Sequence, residues 1–280
     1  MFKFNKARLN LKGSLGSDNF GEAFPYQKYP NDLKWVVKRI TAKNTKEFIN
    51  CLPEIIFGFS CDHPCIVPVK GYFIEEIKET GAFQVYLKTP RMKESLFKNL
   101  KDRKMADKPF TQEEIVKHFY SLACGLQYLQ SKKICHGDIR HESLLLDERG
   151  NVKIANIGIV KHVENTDTTC TAPEVSSEKV QKEQLAKADI WSLGLVMLEL
   201  CAFERGRLKS SLSPQEKEKQ INKSLEGLKG KYHMSLIALI KEILNLDPKQ
   251  RPTIDTIKAR LEKDFSQNLV SLELALAYLH

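Results

Sequence analysis

The residues best suited to chemistry begin at Gly16-Ser-Asp-Asn-Phe-Gly21, a glycine-containing turn between two expected strands. Glycine permits tight and left-handed backbone and lets main-chain N–H groups come close to an anion. Taken alone, the same turn is equally a plain hairpin. Charged residues follow it in order. Lys38 closes the run Trp35-Val-Val-Lys38, Glu54 falls in the next expected helix, and His63-Pro64 follows that helix. His136-Gly-Asp138 then comes after a long amphipathic segment. A lysine, carboxylates and an imidazole are residue types that hold anionic groups and move protons.

Two kinds of element must position these groups. Up to about Thr89, short β-branched or aromatic runs at 4–13, 22–26, 34–40, 66–74 and 83–87 are separated by Gly, Pro, Asn and Asp, which predicts five strands. One helix interrupts them. Asn44 and Glu47 have capping-box spacing, and apolar residues recur over 48–59. Pro53 and Gly58 inside it remove a donor and loosen the backbone, so this helix is expected to kink or restart. After Thr89 the pattern turns helical. Thr111 and Glu114 form a capping box, and Ile115, Phe119, Leu122, Leu126 and Leu129 share one face of a helix over 111–130. Further helices are expected over 183–203, 213–223, 234–244 and 253–265. The fold class is therefore α+β, with a small β-rich lobe carrying one helix before a larger, mainly α lobe.

Composition narrows the setting. The chain has 280 residues, of which 42% are hydrophobic and 28% charged, which excludes a disordered or fibrous chain. Its 44 Lys plus Arg against 35 Asp plus Glu give a formal charge of +9. The apolar run over 193–198 is far shorter than the ~20 residues that span a bilayer, so no membrane segment is expected. The N-terminal residues lack a continuous apolar region, so no secretory signal is expected either, and the cytosol or nucleus is the expected compartment. Seven scattered cysteines read as reduced thiols, and Cys61, His63 and Cys65 read as a turn rather than a metal knuckle. Lys98, Lys101, Arg103, Lys104 and Lys108, with the basic stretch 205–231, raise nucleic acid as a partner. Glu216, Glu218 and Glu226 interleave with that stretch and no aromatic pattern accompanies it, so a solvated face is the preferred reading.

Taken in order, the motifs resemble the eukaryotic protein kinase domain from about residue 9 to residue 265. His136-Gly-Asp-Ile-Arg-His-Glu-Ser-Leu-Leu-Leu146 resembles its catalytic loop, Lys153-Ile-Ala-Asn-Ile-Gly158 its metal-binding turn and Thr171-Ala-Pro-Glu174 the end of its activation segment. Asp189-Ile-Trp-Ser-Leu-Gly194 resembles the start of its central buried helix, and Asp247-Pro-Lys-Gln-Arg-Pro252 its late arginine motif. The resemblance implies a small lobe over about 1–88, a hinge at about 89–91, a larger lobe over about 92–265 and a helical tail over 266–280. It also implies ATP as the ligand. Gly16 and Gly21 would flank the phosphates, Lys38 paired with Glu54 would position them, Ala23 and Val36 would cover the base, Thr89 to Arg91 would meet its edge and Leu145 would form the floor. Either Leu87 or Lys88 would be the gatekeeper.

The departures from the family pattern fall where phosphoryl transfer needs particular atoms. Asn156 stands where an aspartate would hold magnesium, with Ile157 in place of the following phenylalanine, and Ser143 stands where an asparagine would hold the other metal. Both metal positions are altered, which weakens magnesium binding and with it transfer. Asp138 is kept at the position of the base. Arg140 replaces the lysine that would contact the transferred phosphate, and keeps its charge. Gly137 replaces an arginine that would read a phosphorylated loop, and Asp18 adds negative charge near the phosphate path. Gly58 stands where a bulky residue would stack between the lobes, which points to a helix held in place by packing. The implied reading is a pseudokinase that binds, scaffolds or allosterically controls a protein partner. An atypical active serine/threonine kinase is the alternative. The leucine-rich tail, 266–280, is expected to pack on its own domain, with a homo-oligomer contact as its alternative.

Overall fold

The structure is a computed structural model and describes residues 13–18, 21–26, 34–157, 172–176, 182–206, 208 and 212–277. Five strands, β1 (Gly16–Asp18), β2 (Gly21–Tyr26), β3 (Trp35–Ala42), β4 (Gly71–Ile77) and β5 (Ala82–Pro90), form one antiparallel sheet in the order β1-β2-β3-β5-β4. Two strands differ from expectation. The expected run 4–13 lies almost wholly outside the described residues, and the first strand instead occupies the start of the glycine turn, where Asp18 pairs with Gly21. The run expected over 66–74 begins its strand only at Gly71. Pro68 lacks a ladder donor, and upstream of it Ile66 makes a single bridge to Ile154.

Helix α1 (Thr45–Ser60) packs against β3 and β5, and its start is capped as the spacing predicts, with the Asn44 side chain accepting from the Glu47 N–H at 2.9 Å. It runs on through Pro53, against the expected kink or restart. The carbonyl deprived of a partner belongs to Ile49, which is exposed, so water can satisfy it. Gly58 is needed for contact. A Cβ there would lie 2.4 Å from Val69 Cγ2, and the Gly58 carbonyl accepts from the Val69 N–H at 3.2 Å. Val69 thereby fills the space that a larger side chain at 58 would take, and joins Ile55, Val85 and Leu87 in a small core.

The second part is helical, around a three-stranded sheet of β6 (Glu94–Ser95), β7 (Leu144–Leu146) and β8 (Val152–Ile154). Its helices are α2 (Leu96–Met105), α3 (Gln112–Ser131), α4 (Lys182–Ala202), α5 (Pro214–Glu226), α6 (Met234–Ile243) and α7 (Ile254–Ala277). The capping box of Thr111 and Glu114 opens α3 as expected. Helix α4 is apolar around its circumference, with Trp191, Leu193, Val196, Met197 and Leu200 all buried, so it forms the centre of this lobe. Arg251 is fully buried, meets both oxygens of Glu174 at 2.6 and 2.9 Å and lies over the Trp191 ring, tying the turn Pro173–Ser176 to α4. None of the helices among the described residues is long and apolar enough to cross a membrane.

The helix expected over 253–265 is followed by the expected helical tail, and the boundary between them falls at a kink. Phe265 takes non-helical backbone angles (φ −135°, ψ 26°) and marks a kink, after which α7 continues into the tail and packs along α3. Leu269, beyond the kink, is fully buried in the main core. Leu269→Ala is expected to lower unfolding stability by about 2–5 kcal/mol in a chemical denaturation series. Light scattering should show no change in oligomer size.

Candidate functional site

Strand β3 delivers Lys38 to the centre of the cleft between the two lobes. Its Nζ donates to Glu54 Oε1 at 2.8 Å and to Asn156 Oδ1 at 2.9 Å, so one ammonium joins β3, α1 and the turn after β8. Glu54 is 4% exposed, and an unpaired carboxylate at that depth would be strongly destabilising. Asn156 sits at φ 61°, in the left-handed region that asparagine tolerates better than most residues. The three side chains sum to zero formal charge. An aspartate at 156 would leave one net negative charge there to attract a cation.

The loop after α3 is held from below. Asp189 of α4 accepts from the His136 N–H at 2.7 Å and the Gly137 N–H at 2.9 Å, and burial raises its carboxyl above the usual range. Gly137 takes φ 79°, which an arginine would adopt only with strain. His136 Nε2 donates to the Ala155 carbonyl at 2.8 Å while Nδ1 accepts from the Asp138 N–H at 3.1 Å, so the ring is neutral and burial pushes its pKa down.

Ser143 does not face the cleft. Its hydroxyl is fully buried, lies 2.8 Å from the Asp138 carbonyl and 2.9 Å from the Arg140 carbonyl, and accepts from the Arg140 N–H at 3.1 Å. The single hydroxyl hydrogen and the acceptor capacity are spent on closing the loop. Arg140 is likewise engaged. Its Nε meets Glu142 Oε2 at 2.9 Å, and the other Glu142 oxygen meets Arg205 Nη2 at 2.7 Å. Burial raises the Glu142 carboxyl, but the Arg140 hydrogen bond and the two guanidinium charges outweigh it and hold it below the usual range. The guanidinium expected to contact a phosphate is thus drawn towards Glu142.

Above this loop lies a cavity of about 610 Å³. Gly21, Ala23, Val36, Lys38, Thr89, Arg91 and Leu145 line it together, with Glu54, Arg140 and Asn156. Gly16 pairs with Ala23 in the β1–β2 ladder. Register settles the gatekeeper. Leu87 pairs with Lys38, is buried and faces the cavity, whereas Lys88 turns to the other face, over the Tyr26 and Trp35 rings at 4.7 and 4.3 Å. Leu15, Val67 and Val69 also line the cavity, although their types carried no signal beyond apolarity.

The donor set does not fit a magnesium ion. The Asn156 oxygen is occupied by Lys38 and the Ser143 hydroxyl by the loop itself, and neither position offers a carboxylate. Among the described residues no cluster of His, Cys, Asp or Glu is placed to hold a metal. Cys65 and Cys61 are buried, and His63 Nδ1 accepts the Cys65 N–H, which makes this segment a turn. Thr166, Thr168, Thr169 and Thr171 lie outside the described residues. Of the basic residues, Lys98 pairs with Glu94 and Asp102, and Arg103 pairs with Glu114 and covers Phe110.

Comparison with known proteins places the site in a family. The model of the protein kinase domain matches residues 9–261. The chain is 27% identical over 283 residues to mouse serine/threonine-protein kinase Nek1, covering 94% of this chain and 22% of that relative. It is 26% identical over 267 residues to probable serine/threonine-protein kinase nek1 of Dictyostelium discoideum, covering 86% of this chain and 53% of that relative. It is 24% identical over 269 residues to human serine/threonine-protein kinase Nek5, with 92% and 36% covered. The chain therefore spans between about a fifth and about half of the length of these relatives.

Three histidines of the helical lobe are buried. Burial pushes His118 down to about 4 and His141 to about 3, and lowers His136 as well. Each takes up a proton near pH 6.5 when unfolded but not when folded, so stability is full above that pH and declines as pH falls towards the folded values. The melting temperature is expected to drop steadily from pH 7 to pH 5. His118→Gln should shallow the slope by about 1.4 kcal/mol per pH unit.

Proposed function

Because the chain belongs to the protein kinase domain family, we propose that it works as a pseudokinase, binding a protein partner and controlling it by scaffolding or allostery rather than by transferring phosphate. The observation that carries this reading is the donor set: Asn156 is spent on Lys38 and Ser143 on its own loop. Phosphoryl transfer depends on positioned positive charge around the terminal phosphate, and losing one preorganised stabilising group typically costs ~100- to 1,000-fold. The cleft itself supports a retained purine nucleotide, held by apolar walls and Lys38 without magnesium. Six described cysteines are free thiols, which supports the cytosol or the nucleus as the compartment. The burial of Leu269 supports a monomer over association through the tail.

A second reading, an atypical active serine/threonine kinase, is favoured by the paired Lys38 and Glu54, by Asp138 at the base position and by relatives named as kinases. Radiolabelled ATP with Mg or Mn and a generic protein substrate separates the two. The expected result is no transfer above that of Asp138→Ala, and Mg-dependent transfer lost in that variant would establish the active enzyme instead. Asn156→Asp is expected to make the ATP-induced rise in melting temperature depend on Mg, while the unaltered protein gives the same shift with and without the metal.

A further inference from the structure

Ligands in a mostly apolar cavity are oriented by a few backbone groups at its edge. Here that edge is the end of β5, where Thr89, Pro90 and Arg91 line the cavity. The Arg91 N–H donates to the Lys34 carbonyl at 2.8 Å, so residues 34 and 91 form a hydrogen-bonded pair. Alternation along an antiparallel ladder then turns the main-chain groups of Thr89 towards Val36, and those of Lys88 and Pro90 away from β3. Lys88 faces Gly71 of β4, and its carbonyl accepts the Lys70 N–H at 2.8 Å. The β4–β5 ladder begins at that pair and does not extend to Pro90. Pro90 is thus the residue of this edge whose main chain is turned to neither neighbouring strand. It presents a carbonyl and, in place of an N–H, a ring methylene.

We infer that Pro90 makes the edge of this cavity an acceptor without a paired donor, so that the site selects a flat heterocycle through its amino group and does not read a ring acceptor beside it. The inference rests on the reading that the cleft takes a nucleotide. Adenine places its 6-amino donor next to N1, an acceptor, and against this edge only the amino group finds a partner. Specificity would then relax towards any amino-bearing planar ring of similar size, because rejection of an analogue depends on a site group left unpaired when that analogue binds.

Calorimetric titration with ATP, with 1-deaza-ATP (N1 replaced by CH) and with the purine triphosphate lacking the 6-amino group tests this. The unaltered protein is expected to bind the first two within about twofold of each other and the third roughly five- to tenfold more weakly, the range of one neutral hydrogen bond. Pro90→Ala restores an N–H and is expected to prefer ATP over 1-deaza-ATP by about five- to tenfold. A preference of that size already present in the unaltered protein would overturn the inference, as would no gain in a folded Pro90→Ala. Equal binding of the third nucleotide would overturn it too. Binding of none of the three by either protein would instead remove the nucleotide reading on which it rests. If Pro90→Ala does not fold, the comparison of nucleotides on the unaltered protein still decides.

Discussion

The ammonium of Lys38 is the point at which the two lobes are held together electrostatically. The buried Glu54 carboxylate accepts from it, and Asn156 hangs from the same hydrogen-bond donor. The position of α1 follows from this pairing. Once the pair is formed, α1 must bring Gly58 against Val69 at a distance that admits no side chain, and the helix keeps its line through Pro53 because the carbonyl lost there lies on an exposed side. Packing and charge therefore select the same helix position in this structure.

The loop that contains Asp138 keeps its shape for reasons unrelated to metal. Its backbone donors at 136 and 137 are met by Asp189, its imidazole by the Ala155 carbonyl and its interior by the Ser143 hydroxyl. Each of these bonds is internal to the lobe, and those of the His136 N–H and ring are fully buried. A serine at 143 suits that purpose well, since its short side chain reaches two carbonyls and an N–H of the same turn. The same compactness withdraws it from the cleft. Arg140 shows a related exchange: a guanidinium beside two other charged groups finds a carboxylate in Glu142 and stays with it. Ser143 thus turns into its own loop, while Asn156 stays in the cavity wall on Lys38.

Much of the frame was legible in residue order. Capping-box spacing and apolar periodicity announced α1 and α3 to within a residue or two, and the resemblance of Asp189 to Gly194 to the family motif implied the buried central helix. Helix α2 was not visible, because it buries only Leu96 and Leu100 and is otherwise mostly charged, so its stripe is too thin to register as a period. The small sheet of β6 to β8 was also missed, since strands of two or three residues carry no alternation. The boundary between the last helix and the helical tail, expected at Phe265, is where the kink falls.

By itself the sequence determined the chemical inventory: an asparagine and a serine at the two metal positions, a proline in the hinge and a lysine, a glutamate and an aspartate in the right order. These are identities, and no fold can restore a carboxylate or an N–H that the residue lacks. Only the tertiary structure decided where each group is directed. Register turned Leu87 inward and Lys88 outward, burial turned Ser143 into a loop closure, and the proximity of Glu142 drew Arg140 towards it. Those outcomes depend on which groups meet in the folded chain, and spacing along a sequence carries no information about which of several polar partners lies at hydrogen-bonding distance once the core has closed.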